Sequence, residues 1–268
     1  MTDVANKATP SVTAKVTTDV TPKLTAESNG AFLSLRAVAK SFGGLQAVNN
    51  VSFDVRRGEV VSIIGPNGAG KTTLFNLLTG QLQPSGGEIR FQDQVINTLP
   101  PDQRARLGLG RTFQVTKPLT ALTALENVMV GAFLHRRGLR AAEAQALQVL
   151  AEVGLASRAA VRAGELTLSE RRKLEVGRAM AMDPSVVLLD EVMAGLNQSE
   201  VDDMIRLIQG LGQRGLTLLI IEHNLKVVRA FAERVIVMDR GAKIAEGPAE
   251  QILSSPEVIT AYLGARRR

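Results

Sequence analysis

Gly65-Pro66-Asn67-Gly68-Ala69-Gly70-Lys71-Thr72-Thr73 has the spacing G-x-x-x-x-G-K-[ST], in which a glycine-rich loop wraps phosphate groups with its backbone N–H donors. Glycine is needed there because a Cβ would collide with the surroundings or forbid the dihedral angles. Lys71 is placed to reach β- and γ-phosphates, and the Thr72 hydroxyl to coordinate Mg²⁺. A second set of groups lies far down the chain. Asp190 ends the apolar run Val186-Val187-Leu188-Leu189, where a carboxylate can hold a phosphate-bound Mg²⁺, and Glu191 beside it can polarise an attacking water. Alone, such an acidic pair reads equally well as a surfaced strand end. His223 follows Leu218-Leu219-Ile220-Ile221-Glu222 and could hydrogen-bond a γ-phosphate or be a satisfied histidine at a strand end. Gln114 could bring an amide oxygen to Mg²⁺ or water, or be ordinary loop polarity. Phe42, beside Gly43-Gly44, could stack on an adenine ring or belong to the core. The loop itself binds a nucleotide.

These groups need elements to hold them. Val60–Ile64 reads as a buried strand feeding the loop, and the helix starting near Gly70 points its positive end at the phosphates. Val186–Asp190, Leu216–Ile221 and Arg234–Asp239 are short apolar runs suited to buried parallel strands. Helices at Ser199–Gln213 and Asn224–Glu233 separate them, and this alternation predicts a parallel α/β sheet with right-handed crossovers. Upstream, Ala31–Ile64 reads as short strands with turns, and Pro84–Gly87 as a turn before a strand at Glu88–Phe91. Pro101 suits a helix start that Asp102 can cap. Residues 120–182 read as mostly helical. Ala141–Val153 is expected to bury Ala144, Leu147, Leu150 and Ala151, and Ser169 to cap a helix over Glu170–Met182. Terminal helices are expected at Pro248–Leu253 and Pro256–Leu263.

Composition narrows the partners. At 268 residues, with 45% hydrophobic and 22% charged, the chain can bury a sizeable core. No apolar stretch is long enough to span a bilayer, and Thr, Asp, Asn and Lys interrupt the N-terminus too often for a secretory signal. The absence of cysteine excludes disulfides and thiolate metal sites and fits a reducing compartment. A net charge of +6 admits nucleic acid or anionic lipid, although Arg266-Arg267-Arg268 supplies part of it as a solvated tail or a binding device. With 3% aromatic residues and no Trp, a stacking platform for single-stranded nucleic acid is disfavoured.

An aromatic before the glycine loop, then a glutamine, a helix-starting segment, Asp-Glu and a histidine after the next strand resemble the ATP-binding-cassette (ABC) ATPases over about residues 31–264. More narrowly, Ser41–Val48, Gly110–Gln114, Leu189–Glu191 with Ala194–Asn197, Ile221–His223 and Ala261–Gly264 resemble the ATPase subunits of branched-chain amino-acid importers. The resemblance implies an α/β P-loop NTPase core with a mostly parallel sheet, an N-terminal antiparallel β subdomain and a helical subdomain inserted at roughly 115–182. It implies an ATPase domain over 31–268; residues 1–30, rich in Thr, Val, Ala and Lys with Pro10 and Pro22 and no helical period, read as a flexible extension, with a partner-binding arm as the alternative. By the same resemblance, two such domains pair head to tail around ATP and Mg²⁺. Phe42 then stacks the adenine, Gly65–Thr73 (with Pro66, Asn67, Gly68, Ala69 and Gly70) cradle the phosphates, and Thr72, Asp190 and Gln114 serve the metal. Gln114 also senses the γ-phosphate, Glu191 is the base, His223 the switch, and Asn197 lies in the loop crossing to the partner.

The family signature Leu-Ser-Gly-Gly-Gln is replaced by Leu166-Thr167-Leu168-Ser169-Glu170. Thr167 can still offer a hydroxyl to the partner's ATP, with Ser169 beside it. Leu168 and Ser169 stand where glycines allow close backbone approach, which would weaken that site. Val192 replaces the usual proline, at little expected chemical cost. The implied assembly is peripheral on the cytoplasmic face of the cell membrane. It comprises a like or sister ATPase, permease subunits docked near Gln114 and, indirectly, an extracytoplasmic amino-acid-binding protein, with no nucleic acid. Rival readings are a cassette for another cargo such as exported lipid, a soluble ATPase acting on DNA or ribosomes, and a regulator with dead chemistry.

Overall fold

The strand that feeds the phosphate loop is fully buried, and so is one of its two parallel neighbours, while the other is buried between half-exposed ends. In the computed structural model, which describes residues 31–112, 119–256 and 258, the chain begins with a long antiparallel pair, β1 (Leu33–Phe42) and β2 (Leu45–Val55). Next come β3 (Val60–Ile64) and, directly after the loop, α1 (Lys71–Leu78). β4 (Gly86–Phe91), the short β5 (Gln94–Val95), α2 (Pro101–Leu107) and β6 (Leu109–Arg111) follow. Three helices, α3 (Ala124–Ala132), α4 (Leu139–Glu152) and α5 (Leu168–Met180), precede β7 (Val186–Asp190). The chain then alternates through α6 (Gln198–Gln213), β8 (Thr217–Ile221), α7 (Leu225–Phe231), β9 (Arg234–Asp239), β10 (Ala242–Pro248) and α8 (Ala249–Ile252).

Two sheets result. One is antiparallel, in the order β2-β1-β4-β5. The other runs β10-β9-β3-β8-β7-β6, with every neighbouring pair parallel except the antiparallel edge β10–β9. Alternation of side chains divides the core. Val61 and Ile63 of β3, Leu188 of β7, Leu219 of β8 and Ile236 of β9 pack with α1 and the antiparallel sheet. Val60, Ile64, Leu189, Ile220 and Val237 face the other way, onto the helices. Burial on both faces is why these strands read as mainly apolar runs, broken inside only by the buried Ser62 of β3. α1 is held by Leu74, Phe75, Leu77 and Leu78, all with no exposed surface. Burying each such side chain contributes about 1.5–3 kcal/mol, so the helix that presents Lys71 and Thr72 is firmly seated. Among the described residues no helix is long and apolar enough to cross a membrane.

Some local expectations are corrected. α4 buries Ala142, Ala146, Val149 and Leu150, while Leu147 is exposed and Ala144 and Ala151 face solvent. The two candidate stripes share Leu150. Packing on α3 and α5 selects the one that brings Val149 against the bare backbone of Gly177 in α5. α5 is capped by Thr167, not Ser169, which lies inside the first turn. The reason is a capping box: the Thr167 hydroxyl accepts from the Glu170 amide at 3.2 Å and the Glu170 carboxylate accepts from the Thr167 amide at 2.9 Å. α2 starts from Pro100, so Asp102 sits within its first turn rather than at the cap. Gly86 and Gly87 open β4 instead of forming a turn. The extension at 1–30, Phe113 and Gln114, and the terminal segment containing Ala261–Gly264 and Arg266–Arg268 lie outside the described residues.

Candidate active site

A cleft of about 810 Å³ lies between the β1–β2 end and the phosphate loop, lined by Phe42, Asn67 to Thr73, Glu191 and Arg240. Two glycines let its floor form. Gly65 has φ 154° and Gly70 φ 96°, and a Cβ would fall 2.1 Å from the Met238 carbonyl oxygen at Gly65 and 2.3 Å from that of Ala47 at Gly70. Neither position accepts another residue without moving backbone. Gly70 is also the N-cap of α1, which has no side-chain cap and no acid in its first turn. Its first N–H groups therefore remain available to an anion.

Lys71 is buried, and its ammonium donates to the carbonyls of Gly65 at 2.7 Å and Pro66 at 3.0 Å. Burial pushes its pKa below the ordinary lysine value, while the nearby Glu191 and Asp190 charges oppose that shift. Asp190 is wholly buried at the end of β7, and its Oδ2 accepts from Arg111 at 3.1 Å. Burial raises its pKa, with Arg111 pulling the other way. Its Oδ1 is buried and accepts no hydrogen bond from the described residues, so a cation at that oxygen would satisfy an otherwise costly group. Among the described residues no three His, Cys, Asp or Glu side chains converge. A cation here would take most ligands from phosphate and water, which suits Mg²⁺. Thr72 and Asp190 are the described residues that would hold it.

Glu191 has φ 50°, a left-handed conformation that costs a non-glycine residue about 1–2 kcal/mol. Its amide is fixed by the Ile221 carbonyl at 3.0 Å. Strain at this position turns the carboxylate off the strand and into the cleft. Phe42 is 44% exposed at the cleft wall with the Lys40 ammonium 5.2 Å from its ring centre, which leaves a face open for stacking. Val192, by contrast, is a core residue.

The remaining candidates form a separate group. Thr167 is exposed at the start of α5, Ser169 is buried beside it, and Asn197 is the exposed N-cap of α6. Leu168 lies against Gly195, where a Cβ would come within 3.1 Å of its Cδ2. The signature helix and the loop carrying Asn197 thus adjoin each other but not the phosphate cleft. His223 is half exposed, with Nδ1 4.0 Å from the Glu222 carboxylate, and it does not line the cleft. Residues that sequence reasoning missed are Arg240, at the cleft edge, and Arg111. Arg111 falls inside a quoted motif, but no local pattern marks its partners.

Known proteins share this sequence and fold. The family model described as ABC transporter matches residues 48–194, and one described as branched-chain amino acid ATP-binding cassette transporter matches residues 242–267. The chain is 42% identical over 248 residues to the high-affinity branched-chain amino acid transport ATP-binding protein BraF of Pseudomonas aeruginosa, covering 87% of this chain and 97% of the relative. The ADP conformation of MJ1267, an ATP-binding cassette of an ABC transporter, superposes with a TM-score of 0.80 at 32% identity, covering 87% and 99% of the two chains. A dimeric post-hydrolysis cassette bound to ADP and Pi, MJ0796, matches with a TM-score of 0.74 at 27% identity over 81% of this chain and 98% of that one.

Proposed function

The chain belongs to the ABC transporter family and is one of its ATP-hydrolysing cassettes; on that premise we propose that it powers the uptake of branched-chain or related amino acids. It works on the cytoplasmic face of the cell membrane, bound to permease subunits that receive cargo from an extracytoplasmic binding protein. The names of the relatives and the match at residues 242–267 support the cargo class. The observation that carries the chemistry is the cleft itself, where Lys71, Glu191 and the bare start of α1 converge beside a buried Asp190.

Phe42 stacks the adenine, the loop at 65 to 73 cradles the phosphates with the backbone N–H groups it has (all but Pro66), and Lys71 leaves its loop carbonyls for phosphate oxygens. Thr72 and Asp190, aided by Gln114, would hold Mg²⁺, which would supply positive charge to offset that of the phosphates. Glu191 takes a proton from water, whose oxygen bonds to the γ-phosphorus as the bond to the β-phosphate oxygen breaks. His223, outside the cleft in the unpaired chain, is the switch that reaches the γ-phosphate when two cassettes close on ATP. The second group acts across a head-to-tail pair. Thr167 spends its hydroxyl's acceptor capacity on its own helix, so its proton is free to be donated to the partner's ATP. Asn197 belongs to the same crossing surface. Glu170 sets a carboxylate where the family motif has an amide, and Ser169 is buried, so this half-site is the weaker one.

Uptake of radiolabelled leucine by cells lacking the gene tests the proposal. Uptake should fall and be restored by the wild-type gene but not by Glu191→Gln. Normal leucine, isoleucine and valine uptake in the deletion strain would overturn the cargo assignment.

A further inference from the structure

We infer that Arg111 is a positioning residue that braces the phosphate-loop helix against the metal-binding carboxylate, so that Mg²⁺-dependent nucleotide affinity depends on it. The inference rests on the reading of Asp190 as a Mg²⁺ ligand. Arg111 ends β6, in register with Leu188 of β7. From there one guanidinium nitrogen donates to Asn76 Oδ1 at 2.6 Å, Thr79 Oγ1 at 3.2 Å and Gln81 Oε1 at 3.3 Å. A second donates to Asp190 Oδ2 at 3.1 Å, and Nε donates to the Thr112 carbonyl at 3.3 Å. The group also lies 5.8 Å from the centre of the Phe75 ring. A single planar fork therefore touches α1, the turn after it and the end of β7.

The pair is buried, with side-chain exposures of 7% for Arg111 and 0% for Asp190. An ion pair buried to this degree repays little of its desolvation cost, so it is a weak device for stability alone. Its geometry fits a different use. With Oδ2 fixed by Arg111 and the Asp190 amide donating to Thr112 Oγ1 at 3.1 Å, the direction of the remaining oxygen, Oδ1, is set. That oxygen is the one without a partner among the described residues. Because the same guanidinium grips Asn76 and Thr79, the distance between Asp190 and the helix that carries Thr72 is set as well. Lysine cannot reproduce this, since its ammonium is a point donor that serves one side at a time.

The test is titration of the full-length chain with a fluorescent ribose-labelled ATP, in Mg²⁺ and in EDTA. In the wild type Mg²⁺ should tighten binding. Arg111→Met should cut that Mg²⁺-dependent gain about tenfold, the scale of a lost charge-assisted contact, while affinity in EDTA stays within about twofold. Arg111→Lys should fall between the two. Asn76→Ala, which releases only the helix end of the brace, should cut the gain about threefold and decides the matter if Arg111→Met does not fold. The inference is overturned if these variants keep the full gain, or lose affinity equally with and without Mg²⁺. A wild type that shows nucleotide binding but no Mg²⁺ gain would instead overturn the metal assignment of Asp190.

Discussion

Helix α1 begins at Gly70 with no side-chain cap, no acid in its first turn and a buried lysine as its first residue, whereas α5 begins at Thr167 with both halves of a capping box and Glu170 in its first turn. In α5 the helix satisfies its own amides and complements its own dipole. In α1 the positive end faces a second positive charge, an arrangement that is unfavourable until an anion arrives. Within one chain the first helix start is left open for an anion, whereas the second satisfies itself and keeps only the Thr167 hydroxyl proton to offer across a pair. Carboxylates show the same division. Part-burial tends to raise the Glu170 pKa, but the Thr167 amide and Arg158 outweigh it and hold the group below the usual range. Glu222 also accepts backbone amides, from Met193 and His223, yet is 1% exposed. Its burial pushes it up to about 7.

If this division is right, changes at the ligand-facing end should appear in chemistry and changes at the self-capped end in stability. The largest effect is expected from Glu191→Gln, which should lower the ATPase rate about 10²–10⁴-fold while equilibrium ATP binding persists; steady-state turnover and binding measured side by side check this. Lys71→Ala should weaken ATP binding about 100-fold, since it removes charge-assisted hydrogen bonds to phosphate. Chemical denaturation of its nucleotide-free form should shift by less than about 1 kcal/mol, because a dipole repulsion and a buried charge leave with it. Undiminished ATP binding in that variant would break the comparison.

Glu222→Gln addresses the buried carboxylate. A raised acid holds its proton more tightly folded than unfolded. Below its unfolded value of 4.5 both states carry the proton, and as pH climbs from there through about 7 the unfolded chain loses it first. Stability therefore falls across that window by up to about 1.4 kcal/mol per pH unit. Thermal melts from pH 4.5 to 7 should show this slope in the wild type and a flatter one in Glu222→Gln. Smallest is Thr167→Ala, which should cost about 1 kcal/mol, a Tm drop of about 2–4 °C, and leave ATP affinity of the isolated chain unchanged.

Much of this was readable along the chain. The bounds of β3, β7 and β9 coincide with the mainly apolar runs because strands buried on both faces admit few polar residues, Ser62 being tolerated by donating to the Ile220 carbonyl. The loop spacing was readable because phosphate binding needs particular residues at particular separations, all within nine consecutive positions. Even the error at Ser169 had a visible remedy, since Thr167 with Glu170 three residues on is a capping-box pattern. β10 escaped notice because an edge strand of half-exposed residues carries no apolar run.

Local chemistry, in short, resides in neighbouring residues, and a linear reading recovers it: the cradle, the acids after β7, the caps. Arg111 belongs to another class. Its partners Asn76 and Asp190 lie 35 and 79 positions away, and nothing near residue 111 announces them. They meet because β6 is laid beside β7 while α1 packs against the same sheet face. The burial of Asp190, the orphaned Oδ1 and the separation of the two groups of site residues likewise follow from how the sheet and helices pack, since burial and distance are properties of the assembled core.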